Sequence, residues 1–213
     1  MKQSVSRQAN EANLKFAAEL LRGLEHAVFF GTLLGLVRDG RLIEGDDDVD
    51  IYVNGRERQE LLARLASAGL APDMTDAQNA TPYFLQIRRE IDGETVLLDF
   101  YLYEDDPERD FILDRWNFIG DARRKENFLK VPKELFFPLT RMRFDGCEIS
   151  LPARAEEMVA FLYGPSWKIP LAKGSGYYVQ VINNVPRVFT GRLAKLKRES
   201  YRLAGQLGFL SFG

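Results

Sequence analysis

The first regular pattern along the chain has helical period. Leu14, Phe16, Ala17, Leu20, Leu21 and Leu24 fall at near-helical spacing between Ser6 and Glu25, which predicts an amphipathic helix packed on a sheet. His26 is expected to close that helix, where the helix dipole favours a cation, in preference to serving as a general base. Val28-Phe29-Phe30 reads as a short strand, Gly31-Thr32 interrupts it, and Leu33 to Arg38 reads as a short helix. At Asp48 the period changes to two. Val49, Ile51 and Val53 alternate with Asp48, Asp50 and Tyr52, the mark of a half-buried strand with its aliphatic residues in the core and two carboxylates on the other face.

Further along, Asn54-Gly55 reads as a turn and Arg56 to Ala68 as a helix whose inner face is Leu61, Leu62 and Leu65, ended by Gly69. A polar loop, 71–81, follows. Tyr83 to Glu90 and Thr95 to Tyr103 flank Asp92-Gly93, a strong hairpin signal. Leu135 to Pro138 and Met142 to Leu151 are expected as two more strands, the second bent back at Asp145-Gly146. Arg154 to Leu162 is a short helix that stops at Tyr163-Gly164-Pro165. Near the end, Tyr177 to Ile182 reads as a strand and Gly191 to Gly205 as a basic amphipathic helix. The helix is read as an ordinary solvated surface, with peripheral contact to anionic lipid as the alternative. Helices mixed with strands give an α/β (α+β) class. With no repeat and no low-complexity linker, 213 residues fit one domain, 1–170, with an accessory C-terminal piece, 171–213.

Composition narrows the function. Acidic residues number 31 and basic residues 29, so the chain lacks the basic footprint of a general nucleic-acid binder. The single cysteine, Cys147, excludes an internal disulfide and reads as a small apolar residue. The N-terminus is polar, no apolar run is long enough to span a bilayer, and cytoplasmic residence is the expectation.

The chemistry concentrates in Gly31–Ile51, GTLLGLVRDGRLIEGDDDVDI, which ends in Glu44, Asp46, Asp47, Asp48 and Asp50. Side chains at i and i+2 of a strand lie roughly 6.5–7 Å apart at Cα. That spacing suits Asp48 and Asp50 converging on a divalent cation. Two like charges about 4 Å apart repel by about 4 kcal/mol near a protein surface, so such a face needs raised pKa values or a cation. A solvated acidic turn is the plain alternative. An EF-hand loop starting at Asp46 fails because Ile51 stands where that loop needs glycine. Upstream, strand, glycine, hydroxyl residue and helix form an arrangement that presents backbone N–H groups to a phosphate. Gly31 lets the phosphate approach, and Thr32 caps the helix or binds the phosphate itself. Asp99 sits inside the apolar run Val96–Leu102, where an unpartnered carboxylate is costly. It is either paired with an arginine such as Arg88 across the hairpin or is a third carboxylate of the site. The basic residues of Asp121–Lys125 are read as a solvated face.

This stretch resembles the signature of the LicD/fukutin-type phosphotransferases, a branch of the nucleotidyltransferase fold. The chain departs from it at Glu44-Gly45, where the signature more often has Pro-Trp. A looser similarity continues through Phe137-Pro138-Leu139, Phe144-Asp145-Gly146, Leu151-Pro152 and Tyr163–Trp167 to Pro170. The resemblance implies a nucleotidyltransferase-like mixed β-sheet flanked by helices. It implies a metal site of Asp48, Asp50 and Asp99 holding Mg2+, or Mn2+ in its place, with Asp99 positioning or deprotonating an acceptor hydroxyl. Asp46 or Asp47 would orient the ligands, and Gly31, Thr32 and Arg38 would bind the donor phosphates. The implied partners are a CDP-linked or other nucleotide-activated donor and a sugar or glycan acceptor. Two alternatives stay open: transfer of NMP from an NTP to a small acceptor, and a non-catalytic nucleotide-binding module.

Overall fold

A computed structural model describes residues 5–74, 81–115, 128–170, 177–182 and 185–190. The helix α1, Arg7–Leu20, is capped by Ser6, whose side chain accepts the Ala9 N–H at 3.2 Å. It stops five residues earlier than the periodicity predicts, since Gly23 takes φ +85° and turns the chain. His26 is therefore not a helix end. It opens β1, His26–Val28, and is buried. Its Nδ1 lies 2.9 Å from the Leu24 carbonyl and must donate, which leaves Nε2 to accept from the Ser150 hydroxyl at 3.3 Å. Burial pushes its pKa down, so the dipole-cap reading is replaced by a neutral imidazole tying β1 to a later strand.

Next come α2, Phe30–Asp39, and β2, Asp48–Asn54. A 3-10 turn, Gly55–Glu57, leads into α3, Arg58–Ser67. Then follow the hairpin strands β3, Phe84–Ile91, and β4, Glu94–Asp105. Asp92 and Gly93 both have positive φ, +52° and +80°, the pattern that matches a two-residue turn to strand twist. The strands β5, Phe111–Asp114, and β6, Leu129–Pro132, occupy a charged, aromatic region where the sequence carries no strand period. Leu135 to Pro138 is not the expected strand. Lys133–Phe136 forms a single helical turn, α4, which drives Phe136 into the core beside Phe29, Tyr52 and Tyr103. A run of three apolar residues cannot by itself distinguish the two.

The main sheet runs β1-β2-β4-β5-β6, with β3 also paired to β4. The chain returns through α3 and β3 before entering β4, so β2 and β4 are parallel, and the other pairings are antiparallel. A separate hairpin, β7 Thr140–Phe144 and β8 Cys147–Leu151, turns at Asp145 and Gly146, both at positive φ. Cys147 is half-buried and its thiol contacts the Phe144 carbonyl. The helix α5, Ala155–Tyr163, follows, and β9, Tyr177–Ile182, pairs with β10, Val185–Thr190, which lies beside α5 and β6. The predicted basic helix and the Asp121–Lys125 run lie outside the described residues. Among the described residues no helix is long and apolar enough to cross a membrane.

Both faces of the sheet are covered, which corrects the half-buried reading of β2. Every residue of β2 after Asp48 is buried. Val49, Ile51, Leu98 and Phe100 form an apolar face in one cluster with Leu14 and Ala17 of α1. On the other face, beyond the carboxylates, Tyr52, Tyr101 and Tyr103 build an aromatic layer with Phe29, Phe84 and Phe136; the Phe29 and Tyr52 rings stack at 3.7 Å.

Candidate active site

The site forms where β2, β4 and the start of α2 meet. In the parallel register Asp50 lies opposite Asp99, and Asp48 precedes Asp50 on the same face. Asp48, Asp50 and Asp99 each offer a carboxylate oxygen such that all three atoms lie within 4.8 Å of one another. A second group of the same tightness, Asp46, Asp47 and Asp48, shares Asp48 with the first.

The helix α2 is docked onto Asp50 by three consecutive connections. The Phe29 N–H donates to the Asp50 carbonyl at 2.9 Å, the Gly31 N–H donates to Asp50 Oδ2 at 2.9 Å, and the Asp50 N–H donates to Thr32 Oγ1 at 2.9 Å. The turn that allows this places Phe30 at φ +39°, an unusual conformation for an aromatic residue and one found where a site over-determines the backbone. A Cβ on Gly31 would lie 3.0 Å from Asp46 Oδ2 and 3.3 Å from Asp50 Oδ2. The missing side chain is thus filled by carboxylates. Thr32 is buried and its hydroxyl is engaged with β2, so it holds the strand to the helix. Arg38 lies seven residues beyond Gly31, about 10 Å along a helix rising about 1.5 Å per residue. Its guanidinium binds Asp39, with contacts of 3.0, 3.1 and 2.7 Å, and the structure does not bring it into the cluster.

Further supports come from outside the acidic stretch. Asn10 and Asn13 on α1 donate to the carbonyls of Asp48 and Leu97 at 2.7 and 2.8 Å, fixing the start of β2 and the facing part of β4 under the site. Arg89 in turn holds Asn13 at 2.8 Å and covers the Phe16 ring. On the site face, Tyr101 Oη donates to Asp50 Oδ1 at 3.2 Å, and Gln86 Nε2 donates to Asp99 Oδ1 at 2.9 Å. Arg88, the partner the sequence suggested for Asp99, is exposed and lies opposite Leu97. Its place is taken by Gln86. The hairpin signal carried this information: six residues back from Asp92 is Gln86, and six forward from Gly93 is Asp99.

Crowding of acids raises their proton affinity. Burial, then Asp48 and the other neighbouring carboxylates, pushes Asp50 well above the usual range. Burial pushes Asp99 up to about 7 against the opposing Gln86 amide, with Asp48 and Asp47 adding to it. Asp46 reaches about 7 through burial and repulsion by Asp48 and Asp47. An all-oxygen, anionic donor set of this kind fits a hard divalent cation such as Mg2+ or Mn2+.

The mixed sheet thus carries carboxylates on two parallel neighbours beside the N-terminus of α2, and a family match gives the class, a nucleotidyltransferase domain. Residues 23–154 match the family described as LicD/FKTN/FKRP, nucleotidyltransferase domain, and the chain belongs to that family. Solved structures similar to it include the following three. Lincosamide antibiotic adenylyltransferase LnuA with lincomycin bound is 13% identical, over 76% of this chain and 89% of that one, with a TM-score of 0.49. ANT(2")-Ia in complex with adenylyl-2"-tobramycin is 18% identical over 68% and 69%, with a TM-score of 0.40. The solution structure of ANT(2'')-Ia is 16% identical over 76% and 74%, with a TM-score of 0.39. No curated protein sequence matches the chain.

Proposed function

We propose that the protein transfers a substituted phosphate group, such as phosphocholine or a polyol phosphate, from a CDP-linked donor to a hydroxyl of a glycan or other sugar acceptor. The observation that carries this reading is the meeting of Asp48, Asp50 and Asp99 within 4.8 Å at the N-terminus of α2, in a chain of the LicD family. Asp48, Asp50 and Asp99 are the residues that would hold Mg2+ or Mn2+. Bound there, the cation supplies positive charge against the phosphate oxygens, where negative charge develops during transfer. The N-terminal end of α2 adds its partial positive charge on the same side, and the bare backbone of Gly31 lets the Asp46 and Asp50 carboxylates pack against it. Thr32 keeps the helix seated on β2.

Asp99 acts as the base toward the acceptor hydroxyl. Its Oδ1 receives the Gln86 amide, and the remaining carboxylate capacity takes the proton of the attacking hydroxyl. The acceptor oxygen forms a bond to the donor phosphorus nearest the head group, the bond from that phosphorus to the bridging oxygen breaks, and CMP departs. Residues 171–213 are assigned an accessory place beside the catalytic domain, 1–170.

The test is product analysis with CDP-linked donors and a panel of sugar acceptors. Released CMP and a phosphodiester-linked product are expected from the wild type, and none from Asp48→Asn with an unchanged circular dichroism spectrum. Nucleotide found on the acceptor would replace this reading with nucleotidyl transfer. Tight nucleotide binding with no transfer to any acceptor would replace it with a binding module. Wild-type turnover by the Asp48 variant would reject the site.

A further inference from the structure

We infer that Gln86 is a positioning residue of the carboxylate site: its side-chain amide sets the orientation of Asp99 for a divalent cation while leaving the carboxylate charge uncancelled. The inference rests on the reading of Asp48, Asp50 and Asp99 as ligands, and it adds a residue from a strand that supplies none of them.

Four observations converge. First, the β3/β4 register puts Gln86 directly opposite Asp99, and Nε2 reaches Asp99 Oδ1 at 2.9 Å. Second, Asp99 is buried and Gln86 half-buried, so the contact competes with little water. Third, the same device recurs on Asp50, whose two oxygens receive one neutral donor each, the Gly31 N–H and the Tyr101 hydroxyl. Fourth, a cationic alternative stands two residues away on the same face of β3, and Asp99 is not its register partner. Arg88 lies opposite Leu97 and is exposed.

The chemical difference is large. A guanidinium bonded to Asp99 would neutralise it and compete with any added cation for the same oxygens. An amide donor restricts rotation of the carboxylate and fills one of its roughly four acceptor positions, yet leaves the full negative charge for a ligand. Outer partners that orient ligating carboxylates in this way typically account for about 10–100-fold in metal affinity.

The experiment uses the full chain with Mn2+ alone as the probe. Free Mn2+ is counted from its paramagnetic resonance signal during titration of the wild type, Gln86→Met, Asp99→Asn and Arg88→Leu. Gln86→Met keeps length and shape but removes the donor, and its Kd for Mn2+ is expected to rise about 10–100-fold. Arg88→Leu is expected to match the wild type. A role for Gln86 in packing alone would lower the melting temperature without Mn2+ and leave the Kd unchanged. Should Gln86→Met fail to fold, Gln86→Thr serves in its place, since threonine suits a strand and is too short to reach Asp99. Wild-type Mn2+ affinity in the Gln86 variant, with loss in Asp99→Asn, overturns the positioning role and spares the site. A wild type that takes up no Mn2+, or an Asp99→Asn that binds as tightly, overturns the carboxylate site and the positioning role together.

Discussion

Replacing Asp99 by asparagine is expected to stabilise the cation-free protein at pH 8 while abolishing transfer. Asp99 is buried in the folded protein, and its pKa rises from 3.8 to about 7. A carboxyl with a folded value above its unfolded one binds its proton more tightly when folded. Its contribution to stability therefore falls as pH rises from about 4 to about 7 and is constant above that. The rise is about three pH units, and each unit corresponds to about 1.36 kcal/mol, so ionised Asp99 lowers stability by about 4 kcal/mol at pH 8. Asparagine has nearly the same shape, is neutral at every pH, and can still accept the Gln86 amide through its own oxygen. At pH 5 the variant should already be the more stable by about 1.6 kcal/mol, because the unfolded carboxyl is then mostly ionised while the folded one still holds its proton. At pH 8 with a chelator the variant should be the more stable by up to about 4 kcal/mol. Asp46, which is also pushed to about 7, is present in both proteins, and relief of Asp50, whose proton affinity Asp99 raises, adds to the gain in the variant. Urea unfolding at both pH values measures this directly through the midpoint at constant m. Added Mg2+ should narrow the gap by stabilising only the wild type. A difference between the two proteins that does not change from pH 5 to pH 8 would refute the argument.

Two glycine substitutions should separate function from folding. In Gly31→Ala the new Cβ lies 3.0 and 3.3 Å from the carboxylate oxygens of Asp46 and Asp50, which can shift, and alanine favours a helix over glycine by roughly 1 kcal/mol. Melting is expected near that of the wild type with kcat/KM for transfer reduced about a hundredfold, since ligand atoms misplaced by about 1 Å carry such a cost. Full activity would show that the space at Gly31 is not part of the site. In Gly35→Ala the new Cβ lies 2.7 Å from the Arg41 carbonyl and 3.0 Å from the Ile43 N–H nitrogen, both backbone. Stability should fall by about 1–3 kcal/mol despite the gain in helix propensity, read from the urea midpoint. An unchanged midpoint would mean that the 41–43 segment yields freely.

Much of the site could be read along the chain because its parts are local. The alternation Asp48–Val53 placed two carboxylates on one strand face, and Gly31-Thr32 after an apolar run marked the helix that opens beside them. The Asp92-Gly93 turn also held the pairing of Gln86 with Asp99, since a two-residue turn sets the register of both strands. The amphipathic α1 was visible in its period, although its end was not, because Gly23 stops the helix within a pattern that continues past it.

What lay beyond the sequence depends on elements far apart in the chain. The parallel register that puts Asp99 beside Asp50 is decided by how α3 and β3 return the chain to the sheet. Asn10 and Asn13 look like polar breaks in a helix face until the fold sets them under the start of β2 and the facing part of β4. The burial of Tyr52 and Tyr101 behind the carboxylates likewise needs Phe29, Phe84 and Phe136 to arrive from separate elements. Period and turn chemistry are determined by neighbours a few residues away, so the chain carries them openly. Proton affinities, carboxylate orientation and cation fit arise from charges and donors that only tertiary packing brings within a few ångströms.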